Sequence, residues 1–168
     1  KLGQIADQIS QHETPVRVIL IAGPSSAGKT TFSKRLSTHL RVNGLRPITL
    51  GTDDYFVGEG KNPVGIDGKP DYEHIEAVDL PAFNQDLLDL IEGRSIGVRR
   101  FNFEKKQPEY SGKRMQLRDD QVLIIEGIHG LNPRLTEMVP AKRKFKIYVS
   151  ALTQLNVDSN NRISTTDN

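Results

Sequence analysis

The stretch VILIAGPSSAGKTT, residues Val18 to Thr31, decides the reading of this chain. Val18 to Ile21 form an apolar run suited to a strand buried on both faces. Gly23 ends the run, and Gly28, Lys29 and Thr30 follow at the spacing of a phosphate-binding loop. The residue types follow from the chemistry. A polyphosphate needs several backbone N–H groups converging on it, and a tight turn from a strand into a helix aims them inward. Glycine at 23 and 28 permits backbone angles and close approaches that a Cβ blocks. Ser25, Ser26, Ala27 and Thr31 complete the cradle. The Lys29 ammonium meets the β and γ phosphates, and the Thr30 hydroxyl is placed to ligate Mg²⁺. After the loop, Phe32, Leu36 and Leu40 recur every four residues as one helical stripe, with Gly44 as its stop. ATP with Mg²⁺ is the expected ligand.

Composition bounds the rest. The chain has 168 residues, 36% of them hydrophobic, which suits one ordinary globular domain or one domain with a short appendage. No apolar run approaches the roughly 20 residues that span a bilayer, and the polar start KLGQIADQISQHE has no signal-peptide core. No membrane partner is expected. The absence of cysteine excludes disulfides and thiolate metal sites and is compatible with a reducing, cytoplasmic location. Lys and Arg number 23 against 21 Asp and Glu, so nothing demands nucleic acid as a partner. The basic run Lys142, Arg143, Lys144 and Lys146 reads as a solvated strand entrance. Assembly into a homo-oligomer is left open.

Strand patterns fall at 17–22, 47–51, 96–101, 122–126 and 145–150, and helical patterns at 5–11, 29–42 and 80–92. Asp79 is the expected N-cap of the last helix, Pro81 lies in its first turn and Gly93 stops it. The alternation implies an α/β fold: βαβ units building a parallel sheet with helices on both faces, a three-layer α/β/α arrangement of the P-loop type. Residues 1–15 read as an N-terminal helix or linker, 16–155 as the nucleotide-binding domain and 156–168 as a polar tail. The Gly- and Pro-rich stretch 57–71 reads as a mobile loop. Ligands of such sheets sit beyond the carboxyl ends of the strands.

Two strand ends carry acids. Thr52-Asp53-Asp54-Tyr55-Phe56 follows the second strand. The pair of carboxylates is either an Asx-type turn or, beside a phosphate loop, the base that takes the proton of an attacking hydroxyl. Asp53, nearer the strand end, is the candidate base, with Asp54 facing solvent or magnesium. The run Val122 to Ile125 ends in Glu126, the pattern in which a carboxylate holds Mg²⁺ directly or through water. His129 reads as a capping or packing histidine before a catalytic one.

Together, the phosphate loop, Asp53-Asp54-Tyr55-Phe56, Asp71-Tyr72-Glu73-His74 and Ile124-Ile125-Glu126-Gly127-Ile128 resemble the uridine kinase and phosphoribulokinase group of P-loop kinases, over roughly residues 16 to 155. The resemblance implies that Asp53 activates a 5′-hydroxyl, that Glu73 with its neighbour His74 holds ribose hydroxyls, and that Tyr55 and Phe101 line the substrate site. Phe101 then lies against a pyrimidine, unless it and Phe103 are ordinary core. Uridine kinases usually have Asp-Ser-Phe-Tyr and Phe-Asp-His-Pro where Asp53-Asp54-Tyr55-Phe56 and Tyr72-Glu73-His74-Ile75 stand, which leaves the base open. The family continues past Asp167 into an arginine-rich helix and a lid over ATP. Similar bacterial proteins place such a domain after a region resembling part of threonyl-tRNA synthetase.

The expectation is therefore ATP-dependent phosphorylation of the 5′-hydroxyl of a pyrimidine nucleoside, with Lys29 and Asp53 catalytic and Thr30 and Glu126 holding the metal. The alternatives are a kinase of another small hydroxyl acceptor, like phosphoribulokinase or pantothenate kinase, and a nucleotide-binding regulatory module without turnover.

Overall fold

The computed structural model describes residues 2–23, 28–150, 154–158 and 161–164. Its helices are α1 Leu2–Ser10, α2 Lys29–Val42 and α3 Leu80–Ile91. Its strands are β1 Val18–Ala22, β2 Arg46–Gly51, β3 Ile96–Asn102, β4 Gln107–Met115, β5 Gln121–Glu126, β6 Lys144–Val149, β7 Gln154–Asp158 and β8 Asn161–Ser164. The chain divides into two compact units. One holds residues 1–50, 118–131 and 139–168, the other 51–117 and 132–138.

The first unit is built on a sheet in the order β2-β5-β1-β6-β7-β8. Every residue of β1 is buried, as its unbroken apolar run requires of a central strand, and β1 pairs in parallel with β5 and β6. One face of these strands, carrying Ile19, Ile21, Val122, Ile124, Phe145 and Ile147, packs with Ile5, Ala6 and Ile9 of α1 and with Phe32, Leu36 and Leu40 of α2. The segment expected as a helix or linker is thus a helix, and it is part of the core. Helix α2 occupies the expected span; Gly44, at φ 86°, closes it, with the Leu45 N–H donating to the Leu40 carbonyl.

The expected polar tail is different in the structure. Beyond β6, β7 pairs antiparallel with β6 and β8 antiparallel with β7. Backbone N–H and C=O groups at an open sheet edge can be satisfied by any strand, so pairing there requires no apolar pattern.

The second unit holds α3 and a two-stranded antiparallel hairpin, β3 with β4. Asp79 caps α3 by accepting from the Ala82 N–H at 3.2 Å, and Pro81 sits in the first turn, as expected. Asn84, buried in α3, donates to the carbonyls of Leu80 and Arg134 and accepts from the Met138 N–H, which ties the 132–138 segment to the helix. Two expectations fail here. The 96–101 strand belongs to this hairpin and not to the parallel sheet, and β4 had no counterpart in the sequence reading. Strand β4 is exposed along almost its whole length, so it lacks the alternation that marks a half-buried strand. The 57–71 stretch carries a small hairpin of its own, with Gly65 N–H donating to Lys69 and Asp71 N–H to Pro63.

Candidate functional site

The phosphate loop begins where β1 ends. Gly23 has φ 145°, and a Cβ there would stand 2.2 Å from the Val149 carbonyl oxygen, so only glycine fits. Gly28, at φ 79° in the left-handed region, caps α2. That cap supplies no side-chain oxygen, and the first turn of α2 carries no acid. Among the described residues no side chain caps the opening N–H groups of the helix, which suits them to an anion. Lys29, the first helical residue, donates from Nζ to the Gly23 carbonyl at 2.5 Å, drawing the two ends of the loop together. Thr30 and Thr31 are exposed on the first turn. Ser25, Ser26 and Ala27 lie outside the described residues.

The β1–β5 register sets Glu126 beside Ile21, two residues before Gly23. Its side chain is half-buried and follows the four buried residues Val122 to Ile125. The turn that follows is packed tightly: a Cβ on Gly130 would come 2.9 Å from that of Ala22. His129 is half-buried in the same turn.

The second unit holds the remaining expected residues. The 3-10 turn Thr52–Tyr55 follows β2 directly, and Asp53 is its exposed carboxylate. Asp54, expected to face solvent or magnesium, is half-buried, with its carboxylate accepting the Phe101 N–H and near the Arg100 charge. Burial raises its pKa, an effect that the Arg100 charge and the Phe101 hydrogen bond partly oppose.

Tyr55 is the clearest correction. Expected to line the substrate site, it is 1% exposed, packs edge-on against Phe83 at 5.0 Å and donates its hydroxyl to Asp86 at 2.6 Å. Burial, followed by the Asp86 hydrogen bond, raises its pKa far above the ordinary phenol value. A phenol enclosed and committed in this way presents nothing to a ligand.

Phe101 is also nearly enclosed, in a cluster with Phe56, Tyr72 and Phe103 whose ring centroids are 5.0 to 6.3 Å apart. The members that reach the surface are Phe103, at 62% exposure, and the half-buried Tyr72. The Phe56–Tyr72 contact brings the 53–56 and 71–74 segments side by side within this unit. Glu73 is exposed, with its N–H donated to Asp71. His74 accepts the Glu76 N–H at Nδ1 and so caps the short turn Ile75–Ala77.

Residues 18–165 match the model of the Phosphoribulokinase / Uridine kinase family. The chain belongs to this family. Among curated relatives, uridine-cytidine kinase C of Dictyostelium discoideum is 27% identical over 124 residues, 74% of this chain and 25% of that one. The uridine kinases of Leuconostoc citreum and Deinococcus deserti are each 27% identical, over 66% and 80% of this chain and 52% and 61% of theirs. The chain thus spans about half the length of the bacterial uridine kinases it matches. Two solved structures share the P-loop kinase fold, a parallel sheet layered with helices. A possible uridine kinase from Bacillus stearothermophilus has TM-score 0.66 at 21% identity, over 88% of this chain and 78% of that one. A putative fructose transport system kinase from Silicibacter has TM-score 0.65 at 17% identity, over 88% and 73%.

Within this family member, sequence reasoning gave no role to Arg99 or Asp86, read Asp79 only as a helix cap, and named Phe56 and Tyr72 only as parts of motifs. Arg99 stands 7% exposed in β3, paired with Asp79 at 3.0 Å. A charged residue inside a strand pattern was the available signal, since such groups are buried only when paired.

Proposed function

We propose that this chain is the core of a phosphotransferase that moves the γ-phosphoryl group of ATP to the 5′-hydroxyl of a pyrimidine nucleoside. The observation that carries the donor half is the strand-to-helix loop itself, with Gly23 and Gly28 in conformations that favour glycine, Lys29 at the loop and Glu126 at the neighbouring strand end. The α2 N-terminus and the Lys29 ammonium bind and orient the phosphates, and Lys29 exchanges its Gly23 carbonyl for phosphate oxygens. Thr30 and Glu126 offer hydroxyl and carboxylate oxygens, a donor set that suits Mg²⁺. Among the described residues no trio of His, Asp or Glu is gathered to hold a metal alone, so the phosphates and water are left to complete its shell. When bound, the ion neutralises charge on the transferring group.

In this reading Asp53 accepts the proton of the acceptor hydroxyl as its oxygen bonds to the γ-phosphorus and the bridging oxygen leaves with ADP. The carboxylate is exposed and sits on a turn held by its neighbours, as a base requires. Glu73 holds the ribose hydroxyls with His74 beside it, and the aromatic cluster offers ring faces to the base, with Phe103 and Tyr72 as its accessible edge. The names of the relatives support a nucleoside acceptor.

The test is replacement of Asp53 by Asn, with turnover of uridine and cytidine followed by ADP release and ATP binding by calorimetry. General-base catalysis contributes roughly 10² to 10⁴, so kcat is expected to fall by that much with ATP affinity unchanged. Retained turnover would remove Asp53 from the mechanism, and ATP binding without any nucleoside binding would make the chain a nucleotide-binding module.

A further inference from the structure

The turn that carries Asp53 is anchored from both sides by a partly buried set of polar groups. Arg99 Nη1 donates to Asp79 Oδ2 at 3.0 Å, Arg99 Nη2 donates to the Phe56 carbonyl at 3.1 Å, and the guanidinium lies over the Tyr55 ring, 5.4 Å from its centroid. Asp79 in turn donates its N–H to the Tyr55 carbonyl at 2.6 Å, and the Val57 N–H donates to the Ala77 carbonyl at 2.8 Å. The Tyr55 hydroxyl reaches Asp86 on α3. The backbone from Tyr55 to Val57 is thereby bonded at three consecutive residues, and the Asp53 carbonyl accepts the Phe56 N–H inside the turn.

A solvated 3-10 turn of four residues has few bonds of its own and would otherwise sample many backbone states. In the Arg99–Asp79 pair the guanidinium is buried and the carboxylate half-buried, so pairing carries a desolvation cost mainly on the arginine, and apolar packing of similar volume would serve stability as well. Directional hydrogen bonds to a particular carbonyl do what apolar packing cannot: they fix orientation.

We propose that Arg99, Asp79, Tyr55 and Asp86 are positioning residues that hold the Thr52–Tyr55 turn so that Asp53 is presented in one orientation, with Phe56 kept in the aromatic cluster. This rests on the proposed kinase reading for its catalytic consequence, but not for its structural one. Tyr55 thereby passes from substrate contact to scaffold. Arg99 serves Asp79 and the Phe56 carbonyl from two nitrogens of one planar fork, a geometry that the single nitrogen of an ammonium does not reproduce.

The experiment compares Tyr55→Phe, Arg99→Lys, Asp86→Asn and Asp86→Leu by amide hydrogen exchange and by steady-state kinetics. Tyr55→Phe keeps the ring against Phe83 and removes only the hydroxyl. Exchange at residues 52–57 is expected to quicken about tenfold or more while β1 and α2 keep their protection, with kcat falling at least about tenfold and KM for ATP unchanged. Arg99→Lys is expected to behave likewise. Asp86→Asn, whose side-chain oxygen still accepts from Tyr55, stays closer to the parent than Asp86→Leu in both readouts.

Unchanged exchange at the turn in folded Tyr55→Phe overturns the proposal, as does an Asn variant as impaired as the Leu variant. A uniform loss of protection across β1 and α2 also overturns it, because the network would then be general scaffold. If Asp53→Asn retains turnover, the kinase assignment of Asp53 fails while the exchange measurement still decides the clamp.

Discussion

Asp86 is a carboxylate on which two effects compete. Burial pushes its pKa up, while the hydrogen bond from Tyr55 favours the charged form; burial is the larger, and the net shift is upward. A carboxylate whose folded pKa exceeds its unfolded value binds more protons when folded, so its contribution to stability falls as pH rises from about the ordinary value of 3.8 through the raised one. Asp86→Asn removes that penalty. The stability of the variant relative to the parent is therefore expected to grow as pH rises across this window and then level off, measured as the difference in urea midpoints. A difference that shrinks as pH rises would show the Tyr55 bond to be the larger effect. Asp54 is raised by burial in the same direction, but it contributes alike to parent and variant and drops out of the difference.

At the scale of elements, α1 and α2 show how far periodicity carries. The sequence showed an apolar stripe, Phe32, Leu36 and Leu40, for α2 and only a helical pattern for α1, yet α1 buries Ile5, Ala6 and Ile9 in the same core. Ile5 is fully buried there, so Ile5→Ala removes packed methyl groups and leaves a cavity. The expected loss is about 2–5 kcal/mol in chemical denaturation, against roughly half a kcal/mol or less for Thr38→Ala on the exposed side of α2. A small loss at Ile5 would mean that α1 is peripheral, as the linker reading held. β3 and β4 show the opposite case. A short strand of mixed polarity such as β3 can join a larger sheet or a hairpin, and its partner decides which.

At the scale of the whole molecule, a ligand that binds only the folded state stabilises it by mass action. ATP at about a hundredfold over its Kd is expected to add about 2.7 kcal/mol, which corresponds to roughly 5 to 10 °C in melting temperature for a chain of this size. Lys29→Met should abolish that shift while moving the unliganded melting temperature little, since Lys29 is only partly buried at the loop mouth. A full shift retained in Lys29→Met would exclude the loop as the phosphate site. The strand-loop-helix from Val18 to Val42 was legible in the amino-acid sequence because it is local: each residue's role follows from its neighbours within one turn of chain, and glycine at 23 and 28 announces backbone angles directly. So was Glu126, since an acid ending an apolar run marks a strand end wherever the strand pairs. The fate of Tyr55, the accessible edge of the aromatic cluster at Phe103 and Tyr72, the Arg99 clamp and the edge strands β7 and β8 depended on partners between 16 and 47 residues away for the side chains, and on backbone pairing for the strands. Whether a side chain meets a ligand or a neighbour is settled by which distant surfaces enclose it, and spacing along the chain carries no record of that enclosure.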